Sequence, residues 1–186
     1  MKIIVCIKQV PDTAELTVDP ETGTLNRQGA ESILNPLDGN ALEEALRLRE
    51  RYGGEVSVVS MGPKQAEHSL REAVAMGADR GYLCSDKGFA GADTWATAVT
   101  LAGAVQKIGI PDIVLCGKQA IDGDTAQVPA ELAVRLGTVF LPYVLKIHKI
   151  ENGVLRAESM TDTGQFVLEA SLPAVCSVVK DINTPR

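Results

Sequence analysis

The residues best suited to chemistry in this chain form a loop of small and polar residues from Gly117 to Val128. The loop follows a short apolar run, Ile113 to Cys116, which is typical of a strand buried on both faces. It precedes a helical pattern that begins at Pro129 and stops at Gly137. A strand that passes through such a loop into a helix leaves free backbone N–H groups at the positive end of the helix. This arrangement suits an anion such as a pyrophosphate.

The same loop also has an interpretation without a ligand. Asp122, Gly123 and Asp124 are typical turn and cap residues, and two carboxylates suit a phosphate poorly unless they point away or bind a ribose. The loop contains neither a Walker sequence nor a Gly-x-Gly-x-x-Gly fingerprint. Residue types alone therefore leave both interpretations open, with the Thr125 hydroxyl and the Gln127 amide as the polar groups that a ligand would use.

Composition limits the possible classes of protein. A length of 186 residues predicts one domain with a full core. The net charge of −6 argues against nucleic acid as the main partner. No apolar run has the length of a membrane span and no leader pattern is present, so we expect a soluble, cytoplasmic protein without membrane insertion.

The cysteines predict structural thiols. Four of them lie in apolar, strand-like surroundings without Cys-x-x-Cys spacing, at Cys6, Cys84, Cys116 and Cys176. The two histidines are far apart in the sequence. We therefore expect core thiols and no metal site.

The elements that must position the loop alternate along the chain. Apolar runs predict strands at residues 3–7, 56–60, 82–84 and 113–116, and capped amphipathic patterns predict helices at residues 36–52, 64–76, 94–108 and 129–136. This β-α-β-α-β-α-β-α order predicts an α/β fold with a doubly wound, mostly parallel, Rossmann-like sheet.

The pattern changes after Pro142. Residues 144–150 and 154–160 predict a hairpin around an Asn-Gly turn, and residues 166–169 and 175–179 predict further strands. We therefore expect a single domain over residues 1–186 with an antiparallel, hairpin-rich extension at about 143–180. A small hairpin is also predicted between Leu16 and Leu25.

Topology places the candidate residues in one crevice. In an open α/β sheet, ligands bind at the carboxyl ends of the strands where the winding reverses. If the first and fourth strands are neighbours there, their ends at Cys6–Lys8 and Cys116–Lys118 frame that crevice. Asn35 and Met61, in other strand-to-helix loops, could then reach it, which favours nucleotide binding.

Motifs along essentially the whole chain resemble the β subunit of electron transfer flavoproteins. The matching segments are 5–12, 35–36, 75–79, 117–122 and 172–175. The resemblance implies an adenine-nucleotide-binding α/β fold, in agreement with the prediction from the element order. It also implies a C-terminal arm that continues past Arg186, so that this chain would be a truncated member.

The resemblance implies a flavin-linked electron carrier. Ordinary members hold AMP in the β subunit, whereas electron-bifurcating members hold a second FAD there, which accepts a hydride from NADH. Segments 121–128 and 91–97 resemble the bifurcating group, so FAD is favoured and AMP is the alternative. The implied partners are an electron transfer flavoprotein α subunit, an acyl-CoA dehydrogenase of fatty acid oxidation, and ferredoxin or flavodoxin. Paired with the α subunit, the chain would be part of an NADH-oxidising flavoprotein.

Carried over by position, the resemblance implies a nucleotide site. Its residues would be Cys6, Asn35, Pro36, Leu37, Asp38, Met61, Gly117, Lys118, Gln119, Ala120, Ile121, Asp122, Gly123, Asp124, Thr125, Ala126, Gln127 and Val128, with Asp93, Thr94 and Thr97 in addition. Lys8 and Lys118 are candidate phosphate or flavin contacts, or solvent-facing lysines. No catalytic acid, base, nucleophile or metal ligand is predicted, because the flavin would supply the chemistry.

Two alternatives stay open. Pro129 and Ala130 stand where bifurcating relatives usually have Gly-Pro. This difference alters the backbone groups available to a phosphate, so AMP stays open as the alternative ligand. A rival from another class is a non-redox, ATP- or AMP-binding stress-type regulatory module on the same fold, which would bind no flavin.

Overall fold

The structure is a computed structural model, and it describes residues 1–12, 17–18, 25–26 and 32–186. Its strands, in chain order, are β1 (Lys2–Cys6), β2 (Gln9–Pro11), β3 (Thr17–Val18), β4 (Leu25–Asn26), β5 (Ser32–Leu34), β6 (Glu55–Met61), β7 (Arg80–Cys84), β8 (Ile113–Gly117), β9 (Val139–Glu151), β10 (Val154–Thr161), β11 (Gly164–Ser171) and β12 (Ala174–Val178). The α-helices are α1 (Pro36–Tyr52), α2 (Glu67–Met76), α3 (Thr94–Ile108) and α4 (Val128–Leu136). The predicted α/β class is confirmed.

A single eight-stranded sheet has the order β11-β10-β9-β12-β8-β1-β6-β7. From β9 to β7 every neighbouring pair is parallel, whereas β10 pairs antiparallel with both β9 and β11. Two short antiparallel pairs, β2 with β5 and β3 with β4, lie apart from it. The β3–β4 pair confirms the strands of the small predicted hairpin, whose turn and Leu16 lie outside the described residues.

The helices cover both faces of the parallel part. The apolar residues of α1 and α2, such as Leu42 and Leu70, pack with Ile3 and Val5 in one core. Those of α3 and α4, such as Leu101 and Leu132, pack with Ile4 and other strand residues in a second core. Because successive strand side chains point to opposite faces, the continuous apolar run of β1 is needed to fill both cores.

The winding reverses between β1 and β8. The chain passes from β1 to β6 and β7 on one side, then returns to place β8 on the other side of β1. The first and fourth predicted strands are therefore neighbours, with Cys6 opposite Cys116 in register. Their carboxyl ends form the switch point at which open α/β sheets bind ligands.

The long strand β9 differs from the prediction in its start and its pairing. It begins at Val139, pairs in parallel with β12 at first, and then pairs antiparallel with β10. Pro142 lies inside it, next to Tyr143, whose φ angle is 50°. The register shifts between Cys176 and Val178 on the facing strand, so this irregularity accommodates a proline within the sheet.

Candidate functional site

Asp38 fastens the carboxyl ends of β1 and β8 to each other. Its carboxylate accepts hydrogen bonds from the Lys8 amide at 2.8 Å and from the Gly117 amide at 3.0 Å. Only 6% of the residue is exposed. Burial raises the pKa of the Asp38 carboxyl to about 7, against the opposing effect of its hydrogen bonds with Asn35, Lys8 and Gly117. The two strand ends are thus fixed before any ligand binds.

Asn35 attaches the loop after β8 to the start of α1. The residue is fully buried, and its own amide donates to the Lys8 carbonyl at 2.9 Å. Its side chain donates to the Gln119 carbonyl at 3.0 Å and accepts from the Ile121 amide at 3.3 Å. One side chain therefore satisfies two backbone groups of the loop, which specifies the path of residues 119–121.

Gly117 permits a close approach between α1 and the end of β8. A Cβ atom at this position would lie 2.5 Å from Asp38 Oδ1 and 2.7 Å from the Leu37 carbonyl carbon. These distances are shorter than van der Waals contact, and one of them involves backbone. The packing of this edge consequently requires glycine.

The two loop aspartates have partners within the protein. Asp122 forms an ion pair with Lys8, at 2.8 and 2.9 Å from Nζ to its two oxygens. Asp124 accepts a hydrogen bond from the Gln119 side chain, and its amide donates to the Ala120 carbonyl at 2.9 Å. The charge of Asp122 is thereby paired with a cation, and the Asp124 carboxylate is held by a neutral donor.

The next part of the loop presents unpaired backbone donors. Asp124 and Ala126 have φ angles of 54° and 55°, in the left-handed region that is strained for residues other than glycine. Within the described part of the chain, the amides of Gly123, Thr125, Ala126 and Gln127 have no hydrogen-bond acceptor. Successive free amides before a helix form a concavity for an anion.

Gly123 has no structural requirement of its own. A Cβ atom there would meet nothing within 4 Å, and its φ angle is not positive. Gly117 differs, because the surrounding atoms leave no room for a side chain there. The space beside Gly123 leaves room for a bound group to approach the backbone closely.

The start of α3 borders the loop. Thr94 Oγ1 lies 3.2 Å from Gln127 Oε1 and 3.1 Å from Glu131 Oε1 in α4. Asp93 and Thr97 make local contacts instead: Asp93 accepts from the Ala96 amide at 2.8 Å, and the Thr97 hydroxyl donates to the Asp93 carbonyl at 2.7 Å. Of these three residues, Thr94 is therefore the one whose side chain contacts the loop.

The remaining predicted residues lie at the same edge of the sheet. Cys6 and Met61 are at the ends of β1 and β6, and Met61 packs against the core that contains Cys6. Pro36 and Leu37 open α1 and Val128 opens α4. The structure thus brings the sequence-predicted residues to one edge.

The cysteines are free thiols. Cys6, Cys116 and Cys176 are buried and Cys84 is half-buried. A hydrogen bond with Cys6, together with burial, raises the pKa of the Cys116 thiol well above its usual value. No group of three or more candidate metal ligands occurs among residues 1–12 and 32–186.

Two features of this edge were missed from the sequence. Glu131 contacts Thr94, and Tyr143 lies near Lys118, whose Nζ is 5.0 Å from the ring centre. Glu131 could have been found as an acidic residue in the first turn of a helix that leaves the loop. Tyr143 had no such signal, because its position depends on the irregularity in β9.

No helix within the described ranges combines the length and the apolar character needed to cross a membrane.

Comparison with known proteins identifies the family. Residues 22–186 match the model of the electron transfer flavoprotein domain. The chain is 53% identical over 186 residues to an electron transfer flavoprotein subunit beta of Thermoanaerobacterium thermosaccharolyticum, covering all of this chain and 71% of that protein. It is 52% identical over 187 residues to the caffeyl-CoA reductase-Etf complex subunit CarD of Acetobacterium woodii, with the same coverage. It is 50% identical over 192 residues to protein FixA of Azorhizobium caulinodans, covering 68% of that protein. This chain therefore belongs to the electron transfer flavoprotein family, among its β subunits.

Proposed function

We propose that this chain is the β subunit of a heterodimeric electron transfer flavoprotein that binds an adenine nucleotide, with FAD favoured over AMP. It carries electrons between NADH or an acyl-CoA dehydrogenase and acceptors such as ferredoxin or flavodoxin, by flavin-based bifurcation, in the cytoplasm. β subunits of this family pair with an α subunit. The observation that carries the proposal is the set of free amides around Gly123, at the switch point of the sheet.

The phosphate groups would bind at these amides. The N–H groups of residues 123 and 125–127 lack acceptors within the described chain and lie just before α4, where the helix dipole favours negative charge. Asn35 and Asp38 hold the neighbouring segments in place through buried hydrogen bonds. A preformed cradle of this kind costs little ordering entropy when the ligand binds.

The chain's own residues bind and orient the nucleotide, and a bound flavin would supply hydride and electron transfer. Lys8 is committed to Asp122, whereas Lys118 lies over the Tyr143 ring. Lys118 is consequently the better candidate for an anionic part of the ligand.

FAD is favoured because the loop is built from small residues where a dinucleotide would pass. Gly123 has open space around it, and Ala126 is the smallest residue that retains a side chain. Pro129 remains the argument for AMP, because it removes one amide from the first turn of α4. The A. woodii relative is named for a caffeyl-CoA reductase-Etf complex, which supports an acyl-CoA-linked dehydrogenase or reductase as a partner here.

The test is the nucleotide content of the chain assembled with its α subunit. After denaturation, released FAD and AMP are separated and quantified per heterodimer. Two FAD per heterodimer, both reduced by NADH in the presence of ferredoxin and an acyl-CoA dehydrogenase, is the expected result. One FAD and one AMP would refute bifurcation and leave the electron-carrier function. A colourless ATP-binding protein without flavin would support the regulatory-module alternative.

A further inference from the structure

Strand β11 forms one edge of the eight-stranded sheet. It pairs with β10 from Val154–Ser171 to Thr161–Gly164, and within the described part of the chain no strand lies on its other side. Such an edge presents a row of unpaired backbone N–H and C=O groups, to which a strand of another molecule can add. The outer edge of β11 is therefore a candidate interaction surface.

The hairpin turn decides which backbone groups of β11 face outward. The loop between β10 and β11 has two residues, so the pair that closes it is hydrogen-bonded, and Gly164 and every second residue after it bond towards β10. The Leu172 amide continues this alternation, because it donates to the Gly153 carbonyl at 2.8 Å. The residues whose backbone groups point away from the sheet are therefore Gln165, Val167 and Glu169.

The strand lacks most of the features that prevent strand addition in natural proteins. Edge strands are commonly short, interrupted by a bulge, or marked by lysine or proline. Strand β11 has eight residues, its register with β10 has no shift, and its sequence contains neither lysine nor proline. The other edge strand, β7, has five residues and begins with the exposed Arg80. The sheet is thus better protected at β7 than at β11.

Two large apolar side chains of β11 are exposed, one on each face of the sheet. Phe166 and Val167 each have 52% of their surface exposed. Phe166 lies on the same face as Leu168, which packs against the core that contains α1, and Val167 lies on the opposite face. A strand that covers this edge must therefore be apolar at matching positions on both faces.

The sequence of β11 matches itself in antiparallel pairing. With Val167 opposite Val167 of a second copy, Phe166 lies opposite Leu168, and Gln165 lies opposite Glu169. The first two pairs are apolar, and in the third an amide donates to a carboxylate. The residues with outward backbone groups face one another in this register, as an antiparallel ladder requires.

The neighbouring registers fit less well. A shift of two residues in one direction places Val167 opposite Glu169, the only charged residue of the strand. The same shift in the other direction places Val167 opposite Gln165. Only the register centred on Val167 leaves no apolar residue opposite a polar one while it keeps the two Glu169 carboxylates apart.

We propose that the outer edge of β11 pairs antiparallel with β11 of a second copy of this chain, so that the two eight-stranded sheets become continuous. The chain assembled with its α subunit then forms a dimer of heterodimers, in which each copy offers the same residues to the other. A single pair of strands is a small interface, so we expect weak, reversible association. This inference goes beyond the proposed function, because nucleotide binding does not depend on it.

The experiment measures the mass of the assembled heterodimer by sedimentation velocity over a series of concentrations. Val167→Lys places like charges opposite each other at the twofold axis, and Val167→Glu does so with the opposite sign. Val74→Lys is the matched control, because it replaces an exposed valine in α2, which packs on β6 and β7 at the other end of the sheet. Thermal unfolding of each variant shows whether it is folded.

The wild type and Val74→Lys are expected to pass reversibly from one heterodimer to two as the concentration rises. Val167→Lys and Val167→Glu each weaken this association by roughly tenfold or more when measured alone. An equimolar mixture of the two variants regains it, because opposite charges then face each other. Amide hydrogen exchange at residues 165, 167 and 169 slows as the wild type associates.

A wild type that stays a single heterodimer at every concentration would overturn the inference, and so would an association that Val167→Lys leaves unchanged. Slow exchange at residues 165, 167 and 169 in the dilute, single heterodimer would also overturn it, because the α subunit would then cover this edge. These outcomes leave the nucleotide content of the heterodimer unaffected, so the proposed function is tested separately.

Discussion

The edge around β1 and β8 and the hairpin of β9–β11 use polar residues in opposite ways. At the edge, buried Asn35 and Asp38 bond to backbone groups between 30 and 86 positions away in the chain. On the hairpin, the pair Lys149–Glu151 at 2.7 Å and the pair Arg156–Glu169 at 3.7 Å join largely exposed side chains. Exposed pairs contribute little to stability, whereas unpaired buried groups are costly. Polar residues at the edge therefore specify a fixed shape, and those on the hairpin are replaceable.

The largest expected effect is the difference in unfolding free energy between alanine variants of the two glycines at the edge. Gly117→Ala places a methyl group 2.5 Å from Asp38 Oδ1 and 2.7 Å from the Leu37 carbonyl carbon. We expect the free energy of unfolding to fall by about 3 kcal/mol, the scale of an overpacked core. Gly123→Ala, which meets no atom within 4 Å, is expected to change it by less than about 0.5 kcal/mol. Urea denaturation measures both, and similar losses in the two variants would contradict the packing described for Gly117.

Asn35→Ala tests the attachment of the loop. It leaves the partly buried Ile121 amide and Gln119 carbonyl without their partner, so we expect a loss of about 2 kcal/mol in unfolding free energy. Arg156→Ala on the hairpin is the control, with an expected change below about 1 kcal/mol. Urea denaturation compares the two, and an Asn35→Ala loss no larger than that of the control would remove the distinction between the regions.

The pH dependence of stability should differ in sign between the regions. Burial raises the pKa of Asp38 from 3.8 to about 7. Between these two pH values the Asp38 carboxyl is protonated in the folded state and ionised in the unfolded state. Its contribution to the free energy of unfolding is therefore fully present below pH 3.8 and is lost as the pH rises towards 7. One such group changes the unfolding free energy by at most about 1.4 kcal/mol per pH unit. On the hairpin, the hydrogen bond from Lys149 lowers the pKa of the exposed Glu151, which gives a small effect of opposite sign.

The measurement is urea denaturation of the wild type and Asp38→Asn at a series of pH values from 4 to 8. We expect the wild type to lose stability over this range relative to Asp38→Asn, which has no carboxyl to titrate. If the difference between the two proteins is constant across the range, Asp38 does not titrate there.

The smallest expected effect concerns the exposed ion pair of the edge. Lys8 and Asp122 are 2.8 Å apart, with side chains that are 46% and 23% exposed. Lys8→Met should lower the unfolding free energy by no more than about 1 kcal/mol, and less in high salt. Lys149→Met should behave similarly. If Lys8→Met alone lowered the unfolding free energy by several kcal/mol, the Lys8–Asp122 pair would stabilise the fold as strongly as the buried contacts do.

Local signals in the sequence predicted most of the fold. Pro36 and Pro129 mark helix starts, and Gly53, Gly77 and Gly137 follow helix ends as predicted. These features act within one turn of the chain, so they can be recognised without a tertiary structure.

What the sequence could not predict depends on contacts between distant segments. Asp38 accepts hydrogen bonds from the amides of residues 8 and 117. The irregularity at Tyr143 arises where β9 changes its pairing partner from β12 to β10. The unpaired oxygen of Glu131 is likewise visible only once α3 lies beside α4. Pattern and spacing identify such residues as polar, but not the groups that they meet.

The most direct test of the account is nucleotide binding by the loop itself. Thr125→Val combined with Gln127→Ala changes two exposed side chains beside the free amides, and Arg156→Ala serves as the control. Calorimetric titration of FAD and AMP into the nucleotide-free heterodimer is expected to show binding weakened by roughly 1–3 kcal/mol in the double variant and unchanged in the control. Affinity equal to that of the wild type in the double variant would mean that the phosphates bind elsewhere.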